Sequence, residues 1–416
     1  MKVLVVNAGS SSLKYQLMDT VTKDVLGKGI CERIGMEGSL ITHKVGDKKV
    51  EQEIAMPDHA VATEIVVNFL TDKDYGCIDS MDEIEAVGHR VVHGGTYFFD
   101  SCLVNEEVIE AIKKCIEFAP LHNPANLMGI EGCTKVMPNV PQVAVFDTAF
   151  HQTMEPKAYT YALPMKVVES GVRRYGMHGT SHKFVSIEMN KILGSTNTKI
   201  ITCHIGNGSS ISAVKDGKCV DTTMGFTPLD GVEMGTRCGS IDPAIVPFLM
   251  KKYNIGVDEI SDYLNKKCGF LGVSEYSSDS RDIEGAIRGE FNEKLSTCPT
   301  TEEGKARVSK NSKLAAEILA YQVKKYIGSY AASMNGLDAV VFTAGMGENN
   351  TELRERVCTD MEYFGIKLDN EKNAKTFRQS DIVEISTPDS KVKVYVLPTN
   401  EELMIAMDTE TVVNKK

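Results

Sequence analysis

A chain of 416 residues is long enough for roughly two or three domains, each with its own core. Its composition, 42% hydrophobic and 25% charged at a mean hydropathy of −0.16, excludes both a disordered chain and a membrane span, since no apolar run approaches ~18 residues. Fifty-seven acidic against 46 basic residues leave a net charge of −11, which excludes generic binding to nucleic acid or an anionic membrane, so any anionic ligand must be held locally.

The chain opens on MKVLVVNAGSSS, whose apolar run ends at Asn7, too short for a secretory signal, and a cytoplasmic location is expected. Strand-like apolar runs then recur at 3–6, 85–92, 143–146, 200–204, 339–343 and 392–397. Helical periodicity between them, at 105–118 and 312–334, predicts α/β layering. The polar stretch 289–312 reads as an exposed, tolerant insertion. Eleven Cys with no CxxC pair and no His at zinc spacing are expected to be reduced and mostly buried.

One internal likeness stands out. VLVVNAGSSSLKYQL from Val3 and IITCHIGNGSSISAV from Ile200, with Gly9 set on Gly208 199 residues away, both read as strand, Gly-Ser turn, strand. Small residues in such turns let backbone N–H groups converge on an anion, so a pair of them suits a polyphosphate. A third glycine segment, TAGMGEN at 343–349, reads as a turn between a strand and a helix capped by Asn350 or Thr351. No P-loop, HExxH, GxSxG or GxGxxG motif competes with these.

Other segments carry chemistry. GHRVVHGG places Arg90 in a strand, and GTRCGSIDP places Arg237 in a glycine turn, where a planar guanidinium can clamp a carboxylate or phosphoryl group. In RYGMHGTSH the Gly179-Thr180-Ser181 spacer favours a turn over a helix, so His178 and His182 read as oxyanion donors rather than a metal pair. Asp147, and Asn400 with Glu401, lie just past strand ends, where α/β sites collect acids and metal ligands.

NAGSSSLKY, GHRVVHGG, FDTAFH, RYGMHGTSH, HIGNGSS, GTRCGSIDP, TAGMGEN and PTNEE, in this order, make the chain resemble the acetate kinase family, within the acetate and sugar kinase, heat-shock chaperone and actin superfamily. The likeness runs from Val3 to about Ala406. It implies an α/β fold of two duplicated ribonuclease H-like domains, mixed sheets flanked by helices around a central cleft, working as a homodimer. The expected division is 1–150 plus 398–416, and 151–397. The implied reaction is reversible transfer of the γ-phosphoryl group of ATP to acetate, giving acetyl phosphate and ADP, with Mg²⁺ or Mn²⁺.

By the same resemblance, Asn7 and Glu401 position the metal, and Ser10, Ser11 and Ser12 form a phosphate loop. Lys14 with His204, Ile205, Gly206, Asn207 and Gly208 holds ATP phosphates. Asp279, Ser280, Arg281, Gly345, Met346, Gly347, Glu348 and Asn349 bind the nucleotide. Arg90 grips the substrate carboxylate, Asp147 is the catalytic acid or an orienting group, and His178 and Arg237 stabilise the transition state. Val92, Leu121, Met177 and Pro228 form the acyl pocket, with Met at 177 where Phe is commoner. The alternatives are a propionate or butyrate kinase, a pyrophosphate-using relative, and a non-catalytic nucleotide switch like actin.

Overall fold

The computed structural model describes residues 1–415, which divide into two units. The first takes Met1–Gln152, Gly179–Phe184 and the chain from Asn400; the second takes Thr153–His178 and Val185–Thr399.

In the first unit, β1 (Lys2–Gly9), β2 (Ser12–Asp19), β3 (Val25–Glu32), β4 (Leu40–Val45), β5 (Lys48–Glu53), β6 (Ala86–Val91), β7 (Cys102–Leu103) and β8 (Gln142–Phe146) form one sheet. Its order is β5-β4-β3-β2-β1-β6-β8-β7. The first five strands are antiparallel neighbours, while β6 runs parallel to β1 and β8 parallel to β6. β1 is buried at Val3 to Val6 without a break, as expected of a strand covered on both faces. Leu4, Val6, Leu13 and Leu17 pack with Ala62, Val66 and Leu70 of helix His59–Leu70 and with Cys133 of helix Asn123–Val136. Helix Glu401–Asn414 lies against β1, β6 and β8. It sits so close that a Cβ on Gly88 would come 2.4 Å from Thr409 Oγ1, which is why a central strand carries glycine there.

In the second unit, β9 (Lys199–Ile205), β10 (Ser209–Lys215), β11 (Lys218–Thr222), β12 (Ala339–Thr343), β13 (Val383–Glu384) and β14 (Lys393–Val396) order as β11-β10-β9-β12-β14-β13. The 33-residue helix Glu302–Met334 runs through its core, with Ala315, Leu319, Val323 and Ile327 packed among Ile201, Cys203, Val340 and Phe342.

The duplication is topological. β3-β2-β1-β6-β8 and β11-β10-β9-β12-β14 share one order and one set of directions, three antiparallel strands followed by two parallel ones. This is the two-fold ribonuclease H-like α/β plan. The 199-residue offset does not carry over residue by residue, however. β1 and β2 pair Gly9 with Ser12 around a two-residue turn, Ser10-Ser11, whereas β9 and β10 pair Ile205 with Ser209 around Gly206-Asn207-Gly208.

Three local expectations are corrected. The stretch 289–312 is not one exposed insertion: Thr301 caps the long helix, its Oγ1 accepting from Gly304 N–H at 3.1 Å, so the second half of the stretch is helix. Gly179, Thr180 and Ser181 begin helix Gly179–Leu193 rather than forming a turn, because left-handed His178 (φ 60°) ends the preceding segment. Ala344–Asn349 is itself a short helix. Among the described residues no helix is long and apolar enough to cross a membrane, and the eleven cysteines are free thiols, six of them buried.

Candidate active site

In the first unit, the register of β6 and β8 sets Arg90 opposite Val145, and Asp147 follows the end of β8 with its N–H donating to Val91 O at 2.9 Å. Both side chains therefore project at the carboxyl ends of parallel strands, where α/β sites gather. Arg90 Nε donates to Asp147 Oδ1 and Oδ2 at 3.1 and 3.2 Å, and Nη2 to Oδ2 at 2.7 Å, a fork-to-fork pair. Asp147 is 2% exposed at its side chain and Arg90 25%. The Asp147 carboxylate raises the Arg90 guanidinium above its ordinary value, with Glu401 and Glu402 adding to the effect.

Glu401 opens helix Glu401–Asn414, which Asn400 caps by accepting from Leu403 N–H at 3.0 Å. Burial pushes the Glu401 carboxyl up to about 7; Arg90 opposes this, and Asp147 and Glu402 reinforce it. One guanidinium thus faces three carboxylates, an excess of negative charge suited to a hard divalent cation. Among the described residues no three His, Cys, Asp or Glu side chains come together as a complete cage. Asn7 pairs with Lys14 across the β1–β2 hairpin, and both line a concavity of about 320 Å³ with Glu402.

In the second unit, His178 Nδ1 lies 2.8 Å from Ser210 Oγ, and its ring stacks on His204 with centroids 4.1 Å apart. A Cβ on Gly208 would come within 3.5 Å of Arg237 Nη1 and 3.6 Å of the His178 ring, so both side chains flank the glycine turn. Arg237 Nη1 donates to Pro228 O at 3.1 Å and contacts Met234 Sδ at 3.7 Å. Among the described residues it has no carboxylate partner, and burial pulls its guanidinium below the ordinary value. Gly235 N–H donates to Asn207 O at 3.1 Å, which ties the Arg237 loop to the turn.

The segments expected to bind the nucleotide lie in this same unit. Thr343 is in register with His204, and a Cβ on Gly206 would meet Ala344 Cβ at 3.9 Å, so TAGMGEN begins beside the glycine turn. Glu348 holds the left-handed Ala344 (φ 64°) by accepting its N–H at 2.8 Å, and it accepts Thr399 N–H at 3.2 Å. Asn349 Nδ2 donates to Gly345 O, and the space a Gly345 Cβ would enter is open. Asp279 caps helix Ser280–Ile287 and is gripped by the Arg281 fork at 2.5–3.2 Å, an exposed pair that lowers the Asp279 carboxyl. That helix docks on the next segment through Glu284, which accepts from Arg356 Nη1 at 2.5 Å and Asn350 Nδ2 at 3.2 Å.

Sequence reasoning missed the residues that hold these groups in place. Buried Asn126 accepts Val92 N–H and donates to Ala8 O, both at 3.0 Å, and Asn123 exchanges hydrogen bonds with the His93 backbone. His59 Nε2 donates to Gly9 O at 2.8 Å, fixing the first hairpin turn. Arg354, fully buried, donates to the carbonyls of Gly347 and Glu348 at 2.9 Å and closes the Ala344–Asn349 helix. The HNPAN run at 122–126, unusually polar for a core helix, was the one available signal. Of the four positions expected to form an acyl pocket, Val92 and Leu121 of the first unit are half-buried and 76% exposed, and Met177 and Pro228 of the second are buried and half-buried.

Against known proteins, a family model described as the acetokinase family matches residues 2–407. An acetate kinase from Methanosarcina mazei is 54% identical over 416 residues, covering 99% of this chain and 97% of that protein. Among solved structures, the Porphyromonas gingivalis acetate kinase superposes with a TM-score of 0.91 at 48% identity, covering 99% of both chains. A propionate kinase from Francisella tularensis superposes at 0.86 and 39%, again over 99% of both. With the family pattern spanning nearly every residue and the duplicated fold matching throughout, the chain belongs to the acetokinase family.

Proposed function

We propose that this protein is an acetate kinase, catalysing reversible transfer of the γ-phosphoryl group of ATP to acetate. The observation that carries the reading is Arg237, a desolvated guanidinium beside a glycine turn and His178, with no acid among the described residues to neutralise it. A cation left in that condition suits an anion that arrives with the substrate.

In the proposed reaction an acetate oxygen attacks the γ-phosphorus in line; the new C–O–P linkage forms as the bond to the β-phosphate oxygen breaks, and ADP leaves with the electron pair. No proton has to move, because the nucleophile is already a carboxylate. Catalysis is then positioning and charge neutralisation. Like charges ~4 Å apart repel by ~4 kcal/mol at an effective dielectric of 20, and the cationic side chains offset this. Arg237 and His178 serve the transferring phosphoryl group, while Ser10, Ser11, Ser12, Lys14 and the turn from His204 to Gly208 serve the ATP phosphates. Gly345 to Asn349 and Asp279 to Arg281 serve the nucleoside end.

Arg90 receives the acetate carboxylate through Nη1 and the remaining Nη2 hydrogen, since its Nε edge is taken by Asp147. Asp147 is accordingly a positioning residue for Arg90 rather than a proton donor. Mg²⁺, held by Glu401 and Asn7, would supply Lewis-acid neutralisation of phosphate charge. A cytoplasmic homodimer completes the proposal.

The test is to incubate the protein with ATP, Mg²⁺ and acetate and trap acetyl phosphate with hydroxylamine. Slow ATP hydrolysis with no hydroxamate would instead indicate a nucleotide switch. A second reading, propionate as the preferred acyl group, is favoured by the unbranched, flexible Met177 at the acyl pocket. Comparing kcat/KM for acetate, propionate and butyrate, with ATP and with pyrophosphate, decides it.

A further inference from the structure

The face of the first sheet that carries Asn7 and Lys14 continues across β3, β4 and β5. Its register puts Gln16 opposite Lys28, Lys28 opposite Lys44, and Lys44 opposite Lys49. Directly paired residues in antiparallel strands point to the same side, so three ammonium groups stand in one row across three strands. At ~4.8 Å per strand the row spans about 10 Å. Lys28, Lys44 and Lys49, with Lys14, line the 320 Å³ concavity already described.

Like charges directly opposed across a sheet are destabilising, and three in succession in a chain of net −11 are not explained by packing. Lys49 is answered by Glu51 at 2.7 Å, and Glu402 closes the Asn7 end of the concavity; Lys28 and Lys44, both exposed, form no ion pair among the described residues. Of the three ammoniums in the row only Lys49 has a carboxylate partner, so Lys28 and Lys44 are uncompensated.

We propose that this row is a binding site for a linear condensed phosphate, a triphosphate or longer, distinct from the nucleotide residues of the second unit. The chemistry of the row argues for phosphate. Lysine ammoniums are compact point charges that bind phosphate oxygens without demanding a planar partner, and no arginine fork is present to select carboxylates. The linear spacing favours a ligand whose charge is distributed along its length over one that concentrates it at a point. Bound there, the polyanion would relieve the cross-strand repulsion that the free protein bears.

The test is calorimetric titration of the full-length protein with inorganic tripolyphosphate, with ADP saturating and Mg²⁺ in excess of both. One tripolyphosphate per chain is expected, with affinity falling steeply as salt rises. In K28Q/K44Q, which leaves Lys14 and every proposed active-site residue intact, affinity should fall at least tenfold while kcat and KM for ATP stay at wild-type values. Its melting temperature should equal or exceed that of the wild type, because repulsion has been removed. Should that variant melt lower, the single variant K44Q is titrated in its place, with a severalfold loss expected. Displacement of tripolyphosphate by ADP, equal affinity in the variants, or equal affinity of the wild type for tricarballylate would each overturn the assignment.

Discussion

Glu233 is the most consequential buried acid outside the proposed reaction. It is 2% exposed, and among the described residues neither carboxyl oxygen makes a well-formed hydrogen bond, the Leu319 backbone alone opposing the burial. Its backbone N–H is tied to Gln322 Oε1 at 2.5 Å on the long core helix, and burial pushes the carboxyl from 4.5 up to about 8. The folded-state value lies above the unfolded one, so the folded chain holds an extra proton between these limits. Stability from this group is fully present below pH 4.5 and is lost as pH rises through 8. At ~1.4 kcal/mol per unit the loss is about 3 kcal/mol by pH 7 and about 5 kcal/mol above pH 8. Glu233→Gln keeps the shape and removes the titration, so its stability should be flatter with pH by that slope. At roughly 1–2 °C per kcal/mol for a chain of this size, the melting temperature of the wild type should drop about 4–7 °C relative to the variant between pH 5 and pH 8. Differential scanning calorimetry of both proteins at half-unit pH steps measures it. Parallel curves across pH 5–8 would refute the claim that this carboxyl is buried without compensation.

The remaining predictions concern the site. Arg237→Ala should lower kcat by roughly 10³ or more with a smaller change in KM for ATP, measured by steady-state kinetics; a loss below tenfold would remove Arg237 from the transition state. Arg90→Ala should chiefly raise KM for acetate, and Asp147→Asn should follow it in direction, because the guanidinium loses its bidentate anchor; an acetate KM unmoved by both would break the proposed clamp. Glu401→Gln should raise the Mg²⁺ concentration for half-maximal activity about tenfold or more, and a Mg²⁺ titration superimposable on that of the wild type would place the metal elsewhere. Gly88→Ala, whose new Cβ would fall 2.4 Å from Thr409 Oγ1, should destabilise the protein by about 1–3 kcal/mol in urea titrations.

What could be read in the sequence, and what could not, follows from the range of the interactions involved. Apolar runs such as Val3 to Val6 and Ala339 to Thr343 are local patterns, and they became central strands of the two sheets. Arg90 and Asp147 were legible as strand-end residues for the same reason, but their mutual pairing spans 57 positions and leaves no local trace. TAGMGEN misled because glycine is a poor helix former. The segment is helical through Glu348 reaching back to Ala344 and through Arg354, which caps it from inside the core. The two hairpins were recognisable as a pair, yet the 199-residue alignment matched Gly-Ser-Ser letters across turns of different length. Topology was duplicated while the turn residues diverged.

The two arginines singled out from the sequence turn out to be in opposite electrostatic states, and that difference sorts their work. Arg90 is neutralised by Asp147, and with Glu401 and Glu402 close enough to raise it further, its surroundings carry surplus negative charge. A second anion cannot be drawn there by charge alone; it needs the directed Nη hydrogens together with a cation at Glu401. Among the described residues Arg237 has a carbonyl and a thioether but no acid as partner, so its positive charge is uncancelled and, being desolvated, acts through a lower effective dielectric than a surface lysine would. The first suits orienting a small carboxylate, whose charge hardly changes in position before reaction. The second suits the phosphoryl oxygens, where the charge to be stabilised is greatest at the transition state. An acidic chain can therefore concentrate the positive charge this chemistry asks for in a few places: an arginine kept without a counter-ion beside His178 where the charge develops, and a cation at Glu401 where it does not.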